Sequence, residues 1–81
     1  MSKYKINDYI VVDKDVAHGK PVFTGTRVMV WQVLEMLSQG SSEKEIIEAY
    51  PTITKKHIRS AFDYTSSITK NSNVMINLNV A

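Results

Sequence analysis

From Val30 onward the apolar positions fall at Val30, Val33, Leu34 and Leu37, the i, i+3, i+4, i+7 spacing of one helix face. Gly40 stops this helix as the residue just past its end. Ser42 then offers an N-cap, and Glu45, three residues on, completes a capping box. The second helix turns Ile46, Ile47 and Tyr50 inward and Glu43, Lys44 and Glu48 outward. It ends before Pro51, because the residue preceding a proline avoids the helical region. Thr54 is the next N-cap candidate. The third helix carries Ile58, Ala61, Phe62, Thr65 and Ile68 along one side and Lys55, Lys56, Arg59, Ser60 and Asp63 along the other, until Asn71-Ser72-Asn73 breaks the pattern. Beyond it, Val74 to Val80 alternates apolar with mostly polar residues, which predicts a strand.

Ahead of Val30 the period is two. Residues 1–8 are polar and expected to be loose, and Tyr9-Ile10-Val11-Val12 is expected to form a strand. Asp13 to Gly19 is a polar connection. The stretch Gly19-Lys20-Pro21-Val22-Phe23-Thr24-Gly25-Thr26-Arg27-Val28 predicts a tight hairpin at about residues 20–28. Apolar residues bracket its polar centre. Gly25 suits the third turn position, where a positive φ costs glycine nothing, and Pro21 suits a strand start. Gly19, Pro21, Gly25, Thr26 and Arg27 thus form a brace between an N-terminal extended segment and a helical body.

Together these elements predict a mainly α fold: three helices in a helix-turn-helix arrangement behind a small N-terminal β element. Residues 1–70 would form the domain and residues 71–81 a C-terminal extension. At 81 residues the chain is one domain with a small core. A chain this short buries only about 60% of its unfolded surface, so a homodimer is expected. With no cysteine there is neither a disulfide framework nor a thiolate metal site. The net charge of +2 permits nucleic-acid contact without demanding it, since a local patch matters more than the total. Met1 to Lys5 holds no apolar run of the secretory kind, and Val28 to Trp31 is far too short to cross a bilayer, so a cytoplasmic location with no membrane contact is expected.

The run Gly19-Lys20-Pro21-Val22, then Gly25-Thr26-Arg27-Val28, a helix ending in Gly40, Ser42 to Tyr50-Pro51, and Thr54 to Tyr64 resembles the domain-of-unknown-function 433 family. The match spans about residues 9–66. The resemblance implies a small β element with a three-helix, homeodomain-like helix-turn-helix. It also implies an antitoxin of a VapBC-type toxin-antitoxin module, whose partner is a PIN-like ribonuclease toxin and which represses its own promoter. The reading from another class is a stand-alone helix-turn-helix DNA-binding regulator with no toxin. A third is an adaptor using protein contacts alone.

The candidate chemistry is sparse. Lys55, Lys56 and Arg59, with His57, open the third helix, where a helix-turn-helix presents its reading residues to operator DNA. The same pattern also describes an ordinary solvated helix face. Arg27 suits either an interface contact or a structural role, holding backbone carbonyls or an acid such as Asp15 or Asp63. Trp31 falls off the core stripe of its helix and is expected to be buried, within the subunit or against a dimer mate. Val74, Ile76 and Leu78 of the last segment suit strand addition to a partner protein, pairing with Tyr9 to Val12 or a dimer mate, or an unstructured tail. His18 and His57 have no companions at metal-ligand spacing, Asp13 and Asp15 suit turns, and no catalytic constellation or cofactor motif is present. No catalysis, metal or cofactor is expected.

Overall fold

The computed structural model describes residues 3–71. Three strands come first: β1 (Lys3–Asn7), β2 (Ile10–Asp13) and β3 (Val22–Phe23). Three helices follow: α1 (Val30–Ser38), α2 (Glu43–Ala49) and α3 (Lys55–Asn71). The strands form one antiparallel sheet in the order β1-β2-β3. This corrects the mainly α expectation. The sheet is a layer of its own, with α3 packed on β1 and β2, and the architecture is α+β. The correction comes from residues 3–7, which are mostly polar, with only Ile6 packed against the core, and yet pair with β2 from Lys3↔Asp13 to Asn7↔Ile10. Ladder hydrogen bonds are made by the backbone, so polar side chains do not forbid them. The Asn7 carboxamide accepts the Tyr9 N–H at 2.8 Å and closes the turn between the two strands.

The glycine-threonine-arginine corner forms with one arm shorter than expected. Pro21 stands just before β3, where a missing N–H costs no ladder bond. Gly25 has φ +79° at the third turn position, and the Thr26 N–H closes the turn on the Phe23 carbonyl at 3.0 Å. The Thr26 hydroxyl donates to that same carbonyl at 2.9 Å and accepts the Val28 N–H at 3.0 Å. The returning arm is a single bridge, Val22↔Met29, because α1 begins at the next residue. Preceding it, Ala17, His18 and Gly19 all have positive φ (52°, 56° and 81°) in a left-handed turn whose bonds run from Gly19 N–H to the Val16 carbonyl and Lys20 N–H to the Ala17 carbonyl.

The helix ends follow their sequence signals. Gly40 takes φ +92° past α1, with its N–H on the Leu37 carbonyl and that of Ser41 on Met36, a Schellman closure. Ser42 accepts the Glu45 N–H, and Glu45 accepts the Ser42 N–H at 2.8 Å. Tyr50, at φ −129° and ψ 83°, leaves the helical region before Pro51. The core draws on nearly every element: Ile10 from β2, Phe23 from β3, Val30 and Val33 from α1, Ile46 from α2, and Ile58 and Ala61 from α3. Ile53, in the turn between α2 and α3, is also fully buried and plugs that turn into the core. The expected C-terminal strand, with Val74, Ile76 and Leu78, lies outside the described residues.

Candidate nucleic-acid interface

Two side chains fix the start of α3. The Thr54 hydroxyl accepts the His57 N–H at 3.4 Å, and the Thr54 N–H donates to His57 Nδ1 at 3.0 Å. This is a capping box in which imidazole replaces the usual Glu or Gln at the third helical position. The Thr54 hydroxyl oxygen also lies 2.8 Å from Nδ1, and an Nδ1 that accepts the Thr54 N–H corresponds to the neutral ring with its proton on Nε2. The ring meets Tyr9 at 5.3 Å and Phe23 at 5.5 Å, both edge-to-face, and so docks the first turn of α3 on the sheet. Burial there holds the imidazole below its ordinary pKa, since the charged form would lose hydration. One turn on, the Ser60 hydroxyl donates to the His57 carbonyl at 2.6 Å, and the Asn7 carboxamide reaches the Ser60 carbonyl at 3.4 Å. The sheet therefore grips α3 along His57, Ser60 and Ala61.

That grip sets which face is free. Ile58 and Ala61 are buried as expected, but Ser60 is buried too and does not belong to the outer face. Phe62 is 49% exposed and Ile68 47%, and Thr65 is also exposed, so the apolar stripe drawn through them is not the buried one. The inner face is rotated to His57, Ile58, Ser60, Ala61 and Tyr64 because the sheet covers that arc. Lys55, Lys56 and Arg59 are all exposed. Among the described residues only Arg59 of the three is in an ion pair, with Asp63 at 3.8 Å, and both partners are mostly exposed. Such a long, solvated pair contributes little.

Of three grooves beside these cations, one of about 550 Å³ on the α2 side is lined by Ser42, Glu43, Lys44, Ile47, Glu48 and Lys55 with balanced charges, and two run along α3. Of these two, one, of about 380 Å³, is lined by Glu43, Lys55, Lys56, Arg59 and Phe62, three cations to one carboxylate. The other, of about 370 Å³, lies between the β1–β2 turn and α3 and is lined by Asn7, Asp8, Tyr9, Lys56, Arg59, Ser60 and Asp63, where the charges balance. The groove of about 380 Å³ is thus the one with an excess of positive charge. The capping box of α2 is electrostatically separate: the Ser42 N–H and hydroxyl hold the Glu45 carboxyl below its ordinary pKa.

The chain matches, over residues 10–65, the family described as Protein of unknown function (DUF433). It belongs to this family. A 60-residue stretch, 74% of the chain, is 32% identical to uncharacterized protein y4eO of Sinorhizobium fredii (strain NBRC 101917 / NGR234). The match covers 27% of that relative's length. No solved structure matches.

The remaining candidates of this DUF433 chain lie apart from α3. Gly19, Pro21, Gly25 and Thr26 serve the corner described above. Arg27 is exposed, and among the described residues it forms no ion pair with Asp15 or Asp63. Trp31 is 48% exposed and donates through Nε1 to the Met29 sulfur at 3.2 Å, so no intrachain cover buries it. Among the described residues no three His, Cys, Asp or Glu side chains are placed to hold a metal, and no helix is long and apolar enough to cross a membrane. Asn7 and Tyr9 are not among the expected site residues, and His57, expected beside the cations, instead caps the helix and packs on the sheet. The available signal for His57 was its place three residues after an N-cap threonine.

Proposed function

We propose that this chain is a DNA-binding antitoxin whose α3 lies in the major groove of its own promoter. One observation carries the DNA half. Lys55, Lys56 and Arg59 are all exposed on the first two turns of a helix that follows α2 and a tight proline turn, beside a groove rich in cations. The exposed side of α2 holds Glu43, Glu45 and Glu48 against one cation, Lys44, so the excess of positive charge lies on α3. The antitoxin half rests on the resemblance of the Gly19 to Val28 motif and the helices after it. Under it the partner is a PIN-like ribonuclease toxin, and the chain acts as a homodimer on paired half-sites, with the exposed Trp31 available to a mate or partner.

Binding to the DNA upstream of the gene, measured across salt, tests the first half. If Lys55 and Arg59 each contact a phosphate, the double variant Lys55→Ala with Arg59→Ala lowers the slope of log affinity against log salt by about 1.8. An unchanged slope and affinity would remove α3 as the DNA surface. Co-purification from the native operon tests the second half. A DNA-binding chain that brings down no nuclease is the stand-alone regulator.

A further inference from the structure

Phe62 is an aromatic side chain half in solvent on a helix whose other aromatic, Tyr64, packs against the core. Its place explains the exposure. Lys55, Arg59 and Phe62 follow the i, i+4, i+7 spacing and share the face turned away from the sheet. Phe62 also lines the cation-rich groove with Lys55, Lys56 and Arg59, so its ring stands beside the surface that attracts phosphate. From Lys55 to Phe62 the helix rises about 10 Å, the height of three base-pair steps. A helix laid in the major groove with its cations toward phosphates and base edges brings this ring against the groove floor. The apolar feature there is the C5-methyl group of thymine, which phenylalanine recognises by contact.

We propose that Phe62 is a specificity-determining residue that reads a thymine methyl in the major groove of the operator. This rests on the DNA-binding reading of α3 and names the base that face selects. The ring makes no hydrogen bond, so the discrimination comes from one methyl withdrawn from water. That is worth roughly fourfold in affinity per thymine contacted. Exposure of the ring leaves little folding energy dependent on it, so Phe62→Ala is expected to fold, as far-ultraviolet circular dichroism would verify.

The probe is the DNA upstream of the gene, prepared once with thymine and once with uracil throughout, which deletes the methyl and keeps every hydrogen-bonding group. The wild-type chain should bind the uracil duplex roughly fourfold more weakly per contacted thymine. Phe62→Ala should bind both duplexes alike, no more tightly than the wild type binds uracil DNA, because the ring's own contact is lost as well. Equal wild-type affinity for the two duplexes, with the salt dependence intact, would overturn the thymine contact and leave the DNA-binding reading standing. A methyl preference that survives in Phe62→Ala would assign the contact to another residue and also overturn it. A wild-type chain that binds neither duplex at low salt would sink the DNA-binding reading itself. If Phe62→Ala only converts a dimer to monomers and keeps the methyl preference, the ring belongs to a second copy of the chain and the proposal fails.

Discussion

The first turn of α3 depends on a histidine, and removing it has a calculable cost. In His57→Ala the Thr54 N–H loses its acceptor at 3.0 Å, a capping loss of about 1 kcal/mol. The edge-to-face contacts with Tyr9 and Phe23, at 5.3 and 5.5 Å, contribute about 0.5 kcal/mol each at the lower end of their range, suited to a ring only partly covered. The sum, about 2 kcal/mol, is a large part of the ~4–12 kcal/mol expected for a domain of this length. Thermal unfolding should shift down by about 8–16 °C. His57→Gln keeps an acceptor at the third helical position and loses only the ring contacts, so about half the loss should return. The sign with pH follows from the depressed imidazole value. The unfolded chain binds the proton more readily, so this contribution is complete above an ordinary histidine pKa of about 6.5 and is lost as pH falls through the folded-state value. Protonation also costs the Thr54 N–H its acceptor and leaves the new Nδ1–H only the Thr54 hydroxyl at 2.8 Å to donate to, with Tyr9 and Phe23 around the ring and, among the described residues, no carboxylate paired with it. The gap in melting temperature between wild type and His57→Gln should therefore narrow from pH 7.5 to pH 5. A His57→Ala melting point within about 2 °C of wild type, or a pH-independent gap, would refute this reasoning.

Three further outcomes are expected. Ser42→Ala should destabilise the chain by about 1 kcal/mol in urea unfolding, while the Glu45 carboxyl should stay below its ordinary pKa in an NMR titration and rise only in part, because the backbone N–H that lowers it most remains and only the hydroxyl is lost. Ala17→Gly should stabilise slightly, by about 0.5 kcal/mol in the same assay, because relief of a φ of 52° outweighs the added freedom of the unfolded chain. Asp63→Asn removes the carboxylate beside Arg59 and should raise DNA affinity roughly twofold at low salt, with the gain fading at high salt.

What was legible in the sequence is what short-range chemistry encodes. Gly40, Ser42 with Glu45, Pro51 and Gly25 each do their local job through backbone conformation or a bond spanning a few residues, and each stands where its residue type implies. β1 was hidden because its partner is reached through the backbone and Ile6 is its one side chain packed against the core, too little for an apolar alternation. The Asn7-Asp8 turn, between the Tyr4/Ile6 alternation and Ile10, was the available sign. The buried face of α3 was misplaced for a related reason. A stripe through Ile58, Phe62 and Ile68 is a fair helical pattern, and only the sheet, with Tyr9 and Asn7 against His57 and Ser60, selects a neighbouring arc instead. The exposure of Lys55, Lys56 and Arg59 followed from charge alone. That they open a groove with Phe62 depended on the same rotation.

The most direct measurement is an NMR titration of the nitrogen-15-labelled chain with a duplex from the upstream region. If the outer face of α3 is the contact, the backbone amides of Lys55, Lys56, Arg59 and Phe62 shift with added DNA, while those of β3 and the outer side of α1, with Trp31, stay in place. Shifts centred on α1 or the β1 edge, with α3 unmoved, would contradict it.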